Sequence, residues 1–105
     1  MTTIITSGGY GEPMLACPQC TTTDNPYPCV HITAVTVTAR EEDQPGTQIR
    51  IKTTERDNIT INETNGRRRR HHTTLTIYCE HCGRTTDITL QQHKGNTYIT
   101  WEPAT

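Results

Sequence analysis

Short runs in which apolar and polar residues alternate dominate the chain from residue 29 onward, and this alternation is typical of β-strands. In one run Ile49 and Ile51 share a face, and in the next run Ile59 and Ile61 do the same. Threonine is abundant in these runs, and β-branched residues favour a pleated backbone. The pattern predicts strands at residues 29–40, 48–54, 58–63, 73–79, 85–91 and 97–102.

Turn residues separate the predicted strands. The Pro45-Gly46 dipeptide marks one turn, and residues 93–96 (HKGN) predict a hairpin turn before the last strand. No window carries apolar residues at the i, i+3, i+4 and i+7 spacing of an amphipathic helix. We therefore predict an all-β fold, a small antiparallel sheet with essentially no helix. It forms a single domain at 13–105, preceded by a flexible, glycine-rich arm at 1–12.

The two isoleucines Ile59 and Ile61 also suggest how the strands that flank the arginine-rich segment pair. A tight two-residue turn at the intervening Asn-Gly dipeptide would place both isoleucines opposite arginine or histidine. A register that pairs Ile61 with Leu75 and Ile59 with Ile77 matches the apolar faces better. This register leaves residues 64–72 as a protruding loop.

Composition indicates a thin hydrophobic core. Apolar residues make up 30% of the 105 residues and phenylalanine is absent, whereas globular chains average ~45–50% apolar residues when glycine is counted. Small domains with so little apolar material often depend on a metal, a disulfide or a partner. The net charge of −1 gives no overall attraction to nucleic acid or membrane, although arginines and acids are unevenly distributed.

Two Cys-x-x-Cys pairs, Cys17 with Cys20 and Cys79 with Cys82, are the strongest chemical signal in the sequence. Each pair can form a tight knuckle, and two knuckles supply the four thiolates of a closed tetrahedral shell, which suits one structural Zn²⁺ ion. A four-thiolate site could also hold iron, or the thiols could remain without metal. A redox dithiol would typically sit at a helix N-terminus, and no helix is predicted.

These pairs resemble the knuckles of the zinc-ribbon fold group. Residues 17–20 (CPQC) resemble the first knuckle, and residues 79–83 (CEHCG) resemble the second, followed by a hairpin at 85–102. The resemblance implies ligand roles for the four cysteines, and it suggests either nucleic-acid or transcription machinery or a plain scaffold. The chain departs from the group because 58 residues separate the pairs where ~15–20 are usual. The insertion at 21–78 holds three or more predicted strands.

Other candidate ligands are weaker. Cys29 and His31 could form half of a second site, but no further partner pair is evident, and we interpret Cys29 as a small buried hydrophobe. His81 lies inside the second knuckle, where a fifth ligand is not needed, and is expected to be exposed.

The sequence argues against an enzyme. It shows no acid and base pair, phosphate-binding loop or HExxH motif, its one serine is Ser7, and four thiolates leave no open metal position. The basic run Arg67, Arg68, Arg69 and Arg70, extended by His71 and His72, favours a nucleic-acid-binding or transcription-associated protein, unless this run is simply solvated. The alternative is a protein-interaction module with purely structural zinc.

The expected compartment is the cytoplasm. The first residues lack the basic and apolar regions of a signal peptide, and no apolar stretch is long enough for a membrane span. Paired cysteines in a reducing cytosol more often bind metal than form disulfides, and the odd total of five agrees with this.

Overall fold

The computed structural model of the protein is all-β, which confirms the predicted fold class. It describes residues 5–7, 13–22, 27–40, 44–54, 56, 58–64 and 71–104. Within these ranges no helix has the length and apolar character that a membrane crossing requires.

Eight strands make up the described structure. A two-stranded antiparallel sheet pairs β1 with β2, and a six-stranded antiparallel sheet has the order β5-β4-β3-β6-β7-β8. The strands are β1 (Ile5–Ser7), β2 (Pro13–Leu15), β3 (Val30–Ala39), β4 (Gly46–Lys52), β5 (Ile59–Thr64), β6 (His72–Cys79), β7 (Thr85–His93) and β8 (Asn96–Pro103). The six predicted strands correspond to β3–β8, with ends that differ by one or two residues. The short strands β1 and β2 were not predicted, and β1 lies within the segment 1–12 that was interpreted as an arm.

The large sheet consists of two three-stranded meanders joined along their first strands. In each meander consecutive strands pair as antiparallel neighbours, β3-β4-β5 in one and β6-β7-β8 in the other. The seam between them is the antiparallel pair β3 and β6, where Val35 lies opposite Leu75. The chain therefore passes from one edge of the sheet, β5, back to its centre, β6.

The predicted pairing of the fifth and sixth strands is wrong. Ile61 lies opposite Ile49, and Ile59 lies opposite Ile51, so β5 pairs with β4. This pairing matches apolar residues equally well, and its short connection costs less loop-closure entropy. The chain reverses at Lys52, whose N–H donates to the Asn58 carbonyl at 3.1 Å. Most of the predicted loop 64–72, namely residues 65–70, lies outside the described residues.

One face of the large sheet is apolar across all six strands. Two ladders of directly opposed residues cross it, and we call these twelve positions the apolar face. From β5 to β8 the first ladder is Ile61, Ile49, Val37, Thr73, Leu90 and Ile99. The second ladder is Ile59, Ile51, Val35, Leu75, Ile88 and Trp101.

The opposite face is polar and rich in threonine. Hydroxyl groups connect neighbouring strands there: Thr74 and Thr89 lie 2.9 Å apart, and the Thr76 hydroxyl donates to the Asp87 carboxylate at 2.7 Å. Cross-strand pairs of this kind stabilise a sheet, and Ala34, Thr38 and Thr89 of this side are buried. We call this side the threonine face.

The largest of the fully buried side chains lie at the cysteine end of the sheet, and Ile88 is the one buried position of the apolar face. Ile77, Thr86, Cys17 and Cys79 are the largest side chains that are fully buried. All four belong to, or lie next to, the segments that carry the paired cysteines. The densest part of the described chain is therefore at the cysteine cluster, whereas Ile61 at the edge of the apolar face is 67% exposed.

Candidate metal centre

The second knuckle forms where β6 turns into β7. Cys79 is the last residue of β6, and its N–H donates to the Arg84 carbonyl at 3.0 Å. The Gly83 N–H donates to the Cys79 carbonyl at 2.9 Å and closes the turn. Gly83 has a φ of 71°, a left-handed conformation that glycine adopts without strain from a side chain. The sequence Cys-x-x-Cys-Gly thus fits the turn that it forms.

The first knuckle is held against β7 from outside the sheet. The Gln19 amide donates to the Thr85 carbonyl at 2.9 Å and to the Thr86 hydroxyl at 2.7 Å. Within the knuckle, the Thr21 N–H donates to the Cys17 carbonyl at 3.0 Å. The residue between the two cysteines therefore fixes the first knuckle beside the second.

The structure brings Cys17, Cys20, Cys79 and Cys82 together. Their sulfur atoms all lie within 4.8 Å of one another, with 3.8 Å between Cys17 and Cys82 and 3.7 Å between Cys20 and Cys79. A regular tetrahedron of sulfurs around a metal at ~2.3 Å has edges of ~3.8 Å. A disulfide would need ~2.05 Å between sulfurs, so the cluster has the dimensions of a metal shell and not of two disulfides.

The electrostatics of the four thiols favour a bound cation. Burial raises the pKa of the Cys20 thiol, and the three neighbouring sulfurs raise it further. Burial acts on Cys79 in the same direction, but N–H groups of Cys82 and His81 outweigh it and lower the pKa of Cys79. Four thiolates this close repel one another, and a cation at their centre removes that penalty.

No protein-family model matches the chain, and no curated protein or solved structure is significantly similar to it. The zinc-ribbon resemblance therefore remains limited to the two knuckles, whose four cysteines meet at metal-binding distance.

An aromatic contact that the sequence did not suggest joins the flanks of the two knuckles. The rings of Tyr27 and His81 stack with their centroids 3.7 Å apart and their planes 14° apart. The Tyr27 carbonyl also accepts the Cys17 N–H at 2.9 Å. His81 is exposed, as predicted, and it contributes to the centre by stacking against the segment that follows the first knuckle.

The interpretation of Cys29 as a buried residue is wrong, because its side chain is exposed and it lies outside the sulfur cluster. A register shift between Ile32 and Ala34 explains this. The shift reverses the inward and outward alternation of the preceding residues, so His31 lies opposite Tyr78 on the threonine face. There the His31 imidazole pairs with the Glu80 carboxylate.

The candidate nucleic-acid residues Arg67, Arg68, Arg69 and Arg70 lie outside the described residues. The described strands fix where this segment is attached. Thr64 ends β5 opposite Gly46, and His72 begins β6 opposite Thr38, at the end of the sheet far from the cysteines. The two residues that flank the segment are therefore at the end of the sheet opposite the metal centre.

Substitution of single cysteines tests the composition of the shell. Cys20→Ser should reduce the metal content of the purified protein well below one ion per chain, because the shell loses a thiolate. Cys29→Ser is the matched control and should keep the wild-type metal content, since Cys29 is exposed and outside the cluster. Elemental analysis of both proteins measures the difference. A loss of metal in Cys29→Ser would show that the shell has been assigned to the wrong cysteines.

Proposed function

We propose that this chain is a non-enzymatic zinc protein that acts as a protein-binding module, with zinc in a purely structural role. The observation that carries the proposal is the apolar face, on which eight of the twelve side chains are more than one-third exposed and one, Ile88, is buried. A closed shell of four thiolates supports the structural role, because it offers no open position to a substrate.

Zinc is the metal that this site suits best. It has no preferred geometry of its own and readily accepts a tetrahedral thiolate shell in a reducing environment. The shell joins two knuckles that are distant in sequence. Cys20 and Cys79 are 59 residues apart, and Cys17 and Cys82 are 65 residues apart. Since the core surrounds this cluster, the ion supports the fold directly.

Removal of the metal should unfold the sheet. The wild-type protein should carry about one zinc per chain and be colourless. Structural zinc contributes ~10–16 kcal/mol of apparent binding free energy, which is comparable to the ~5–15 kcal/mol net stability of a domain. Bound thiolates must be deprotonated, so stability should fall as the pH falls and protons compete with the ion. Elemental analysis, visible absorption and amide NMR spectra measure these properties.

Iron–thiolate absorption in the visible range would contradict the zinc assignment. A spectrum that stays dispersed after a chelator has removed the metal would contradict the structural role, because the sheet would then be stable without the ion.

Most side chains of the apolar face are exposed, and this distinguishes the face, as a binding surface, from the buried core of the protein. Ile61 and Ile59 are 67% and 59% exposed, whereas Ile77, at the metal end of the same side of the sheet, is 1% exposed. Exposed apolar patches of this size on soluble domains usually mark interaction sites. None of the twelve side chains of the face is ionisable, which suits an apolar protein surface better than a phosphate backbone.

A lysine on the apolar face should therefore be tolerated by the fold. Ile61→Lys should lower the free energy of unfolding of the zinc-loaded protein by less than about 1 kcal/mol, within the range of exposed strand positions. Ile77→Lys, which buries an unpaired charge, should lower it by more than about 3 kcal/mol. Urea unfolding at low protein concentration measures both. If Ile61→Lys unfolds the protein like Ile77→Lys, the face is part of the core and the protein-binding proposal fails.

Nucleic-acid binding is the second candidate, and it rests on the four consecutive arginines between Thr64 and His71. Arginine binds phosphate oxygens in bidentate fashion, and such contacts do not depend on base sequence. The attachment of this segment far from the cysteines means that phosphate binding would leave the metal shell untouched.

A salt titration tests this second candidate. If three or four arginines contact phosphates, log K for duplex DNA should fall with log salt at a slope of about −3, since each contact contributes ~0.9. Replacing Arg67 through Arg70 with alanine should abolish this binding, while Arg50→Ala, on the threonine face, should preserve it. Absence of binding to DNA and RNA by the wild-type protein at low salt would refute the candidate.

A further inference from the structure

We propose that the partner of the apolar face is a second copy of this chain, and that two copies pack face to face as a β-sandwich. The inference rests on the proposed protein-binding function and names its partner. In such a sandwich each copy supplies one complete layer, and the interface replaces the second sheet that a single copy lacks.

The shape of the face fits sheet-on-sheet packing. The two ladders run without interruption through six strands, which at ~4.8 Å per strand gives a surface ~24 Å wide. Eleven of the twelve positions are apolar, and Thr73 is the exception. Polar residues border the ladders at the end far from the cysteines, where Glu63 of β5 lies opposite Thr47 of β4.

The face is not flat, and this favours an interdigitating partner. A hollow of about 390 Å³ opens at its polar border, lined among others by Val37, Thr73 and Leu90. His71 and His72, at the start of β6, line its far side. Projecting isoleucines of an opposing sheet could enter such a depression, as side chains do between the layers of a sandwich.

The exposed area is sufficient for a dimer. Eight residues of the face are more than one-third exposed: Ile49, Ile51, Ile59, Ile61, Val37, Leu90, Ile99 and Trp101. If a fully open residue of this size exposes ~150–200 Å², at the lower end of the aromatic range, these eight expose roughly 550–750 Å². Two copies would bury roughly 1,100–1,500 Å², which reaches the ~1,200–2,000 Å² of a standard interface.

Charge also favours a second copy over other occupants. The twelve positions carry no acidic or basic side chain, so an anionic lipid surface or nucleic acid would meet no cation there. A second copy presents the same uncharged surface with the same dimensions. The net charge of −1 imposes little repulsion between copies, and two-fold dimers are the commonest soluble oligomers.

The single tryptophan of the chain provides a built-in reporter of the interface. Trp101 ends the second ladder on β8 and is 38% exposed. The zinc-loaded 105-residue chain should sediment at about twice 11.8 kDa at concentrations of about 100 μM, as expected for an interface at the lower end of standard size. On dilution to about 1 μM the mass should halve, and Trp101 emission should shift to the red as the face becomes solvated.

Two neighbouring residues of β5 give a matched pair of variants. Ile61 lies on the apolar face, and Asn62 lies on the threonine face opposite Gln48. Ile61→Lys should weaken dimerisation at least tenfold, because a lysine would be buried against an apolar surface. Asn62→Lys adds the same charge to the same edge strand. It should change the dissociation constant of the dimer by less than about threefold. Ile99→Lys, on the opposite edge strand, should act like Ile61→Lys.

The possible outcomes separate this inference from the proposed function. A monomer at every concentration would overturn the self-association, yet tolerance of Ile61→Lys by the fold would leave the face available to another protein. A dimer that Ile61→Lys and Asn62→Lys weaken equally would indicate pairing of edge strands and would also overturn the proposal. A concentration-dependent mass that only the apolar-face variants abolish, with a matching shift of Trp101 emission, would establish it.

Discussion

The convergence of four sulfur atoms is the constraint on which the rest of the structure depends. It joins residues 59 and 65 positions apart in sequence, and closing loops of this length costs substantial chain entropy. In a chain with 30% apolar residues and no phenylalanine, few hydrophobic contacts could offset that cost. The fully buried residues Ile77, Thr86 and Cys17 gather around the cluster, which therefore takes the place of a conventional hydrophobic core.

A core at one end of the protein has consequences for the rest of the sheet. The two meanders extend away from the cluster on either side of the β3 and β6 seam, and their apolar face receives little cover from the described chain. Many proteins fill that position with a helix or a second sheet. Here the described chain leaves eight residues of that side more than one-third exposed.

Local patterns predicted the strands, the two knuckles and the hairpin turn, because each of these signals depends on a few neighbouring residues. The signals are the alternation of apolar and polar residues, the Cys-x-x-Cys spacing and the Lys94-Gly95 dipeptide, whose residues both have positive φ. The pairing of the strands was harder to predict. Ile59 and Ile61 match the alternation of β4 and of β6 equally well, so apolar matching alone does not distinguish the two pairings, and the shorter connection to β4 decides between them. The exposure of Cys29 depends on a register shift in β3, for which the sequence carries no recognisable signal. The stacking of Tyr27 on His81 likewise depends on how the knuckles meet.

The division of the four cysteines between distant segments also bears on the biosynthesis of the protein. The first knuckle leaves the ribosome before β3, but its last partner, Cys82, follows Cys17 by 65 residues. At ~5–20 residues per second, this delay lasts roughly 3–13 s, during which the β3-β4-β5 meander must exist without a complete metal shell. The four-sulfur site is consequently complete only after β6 and the second knuckle have been made. A complete four-sulfur site thus requires both the segment before the first meander and the first strands of the second, and a chain that ends before the second knuckle has two of the four sulfurs.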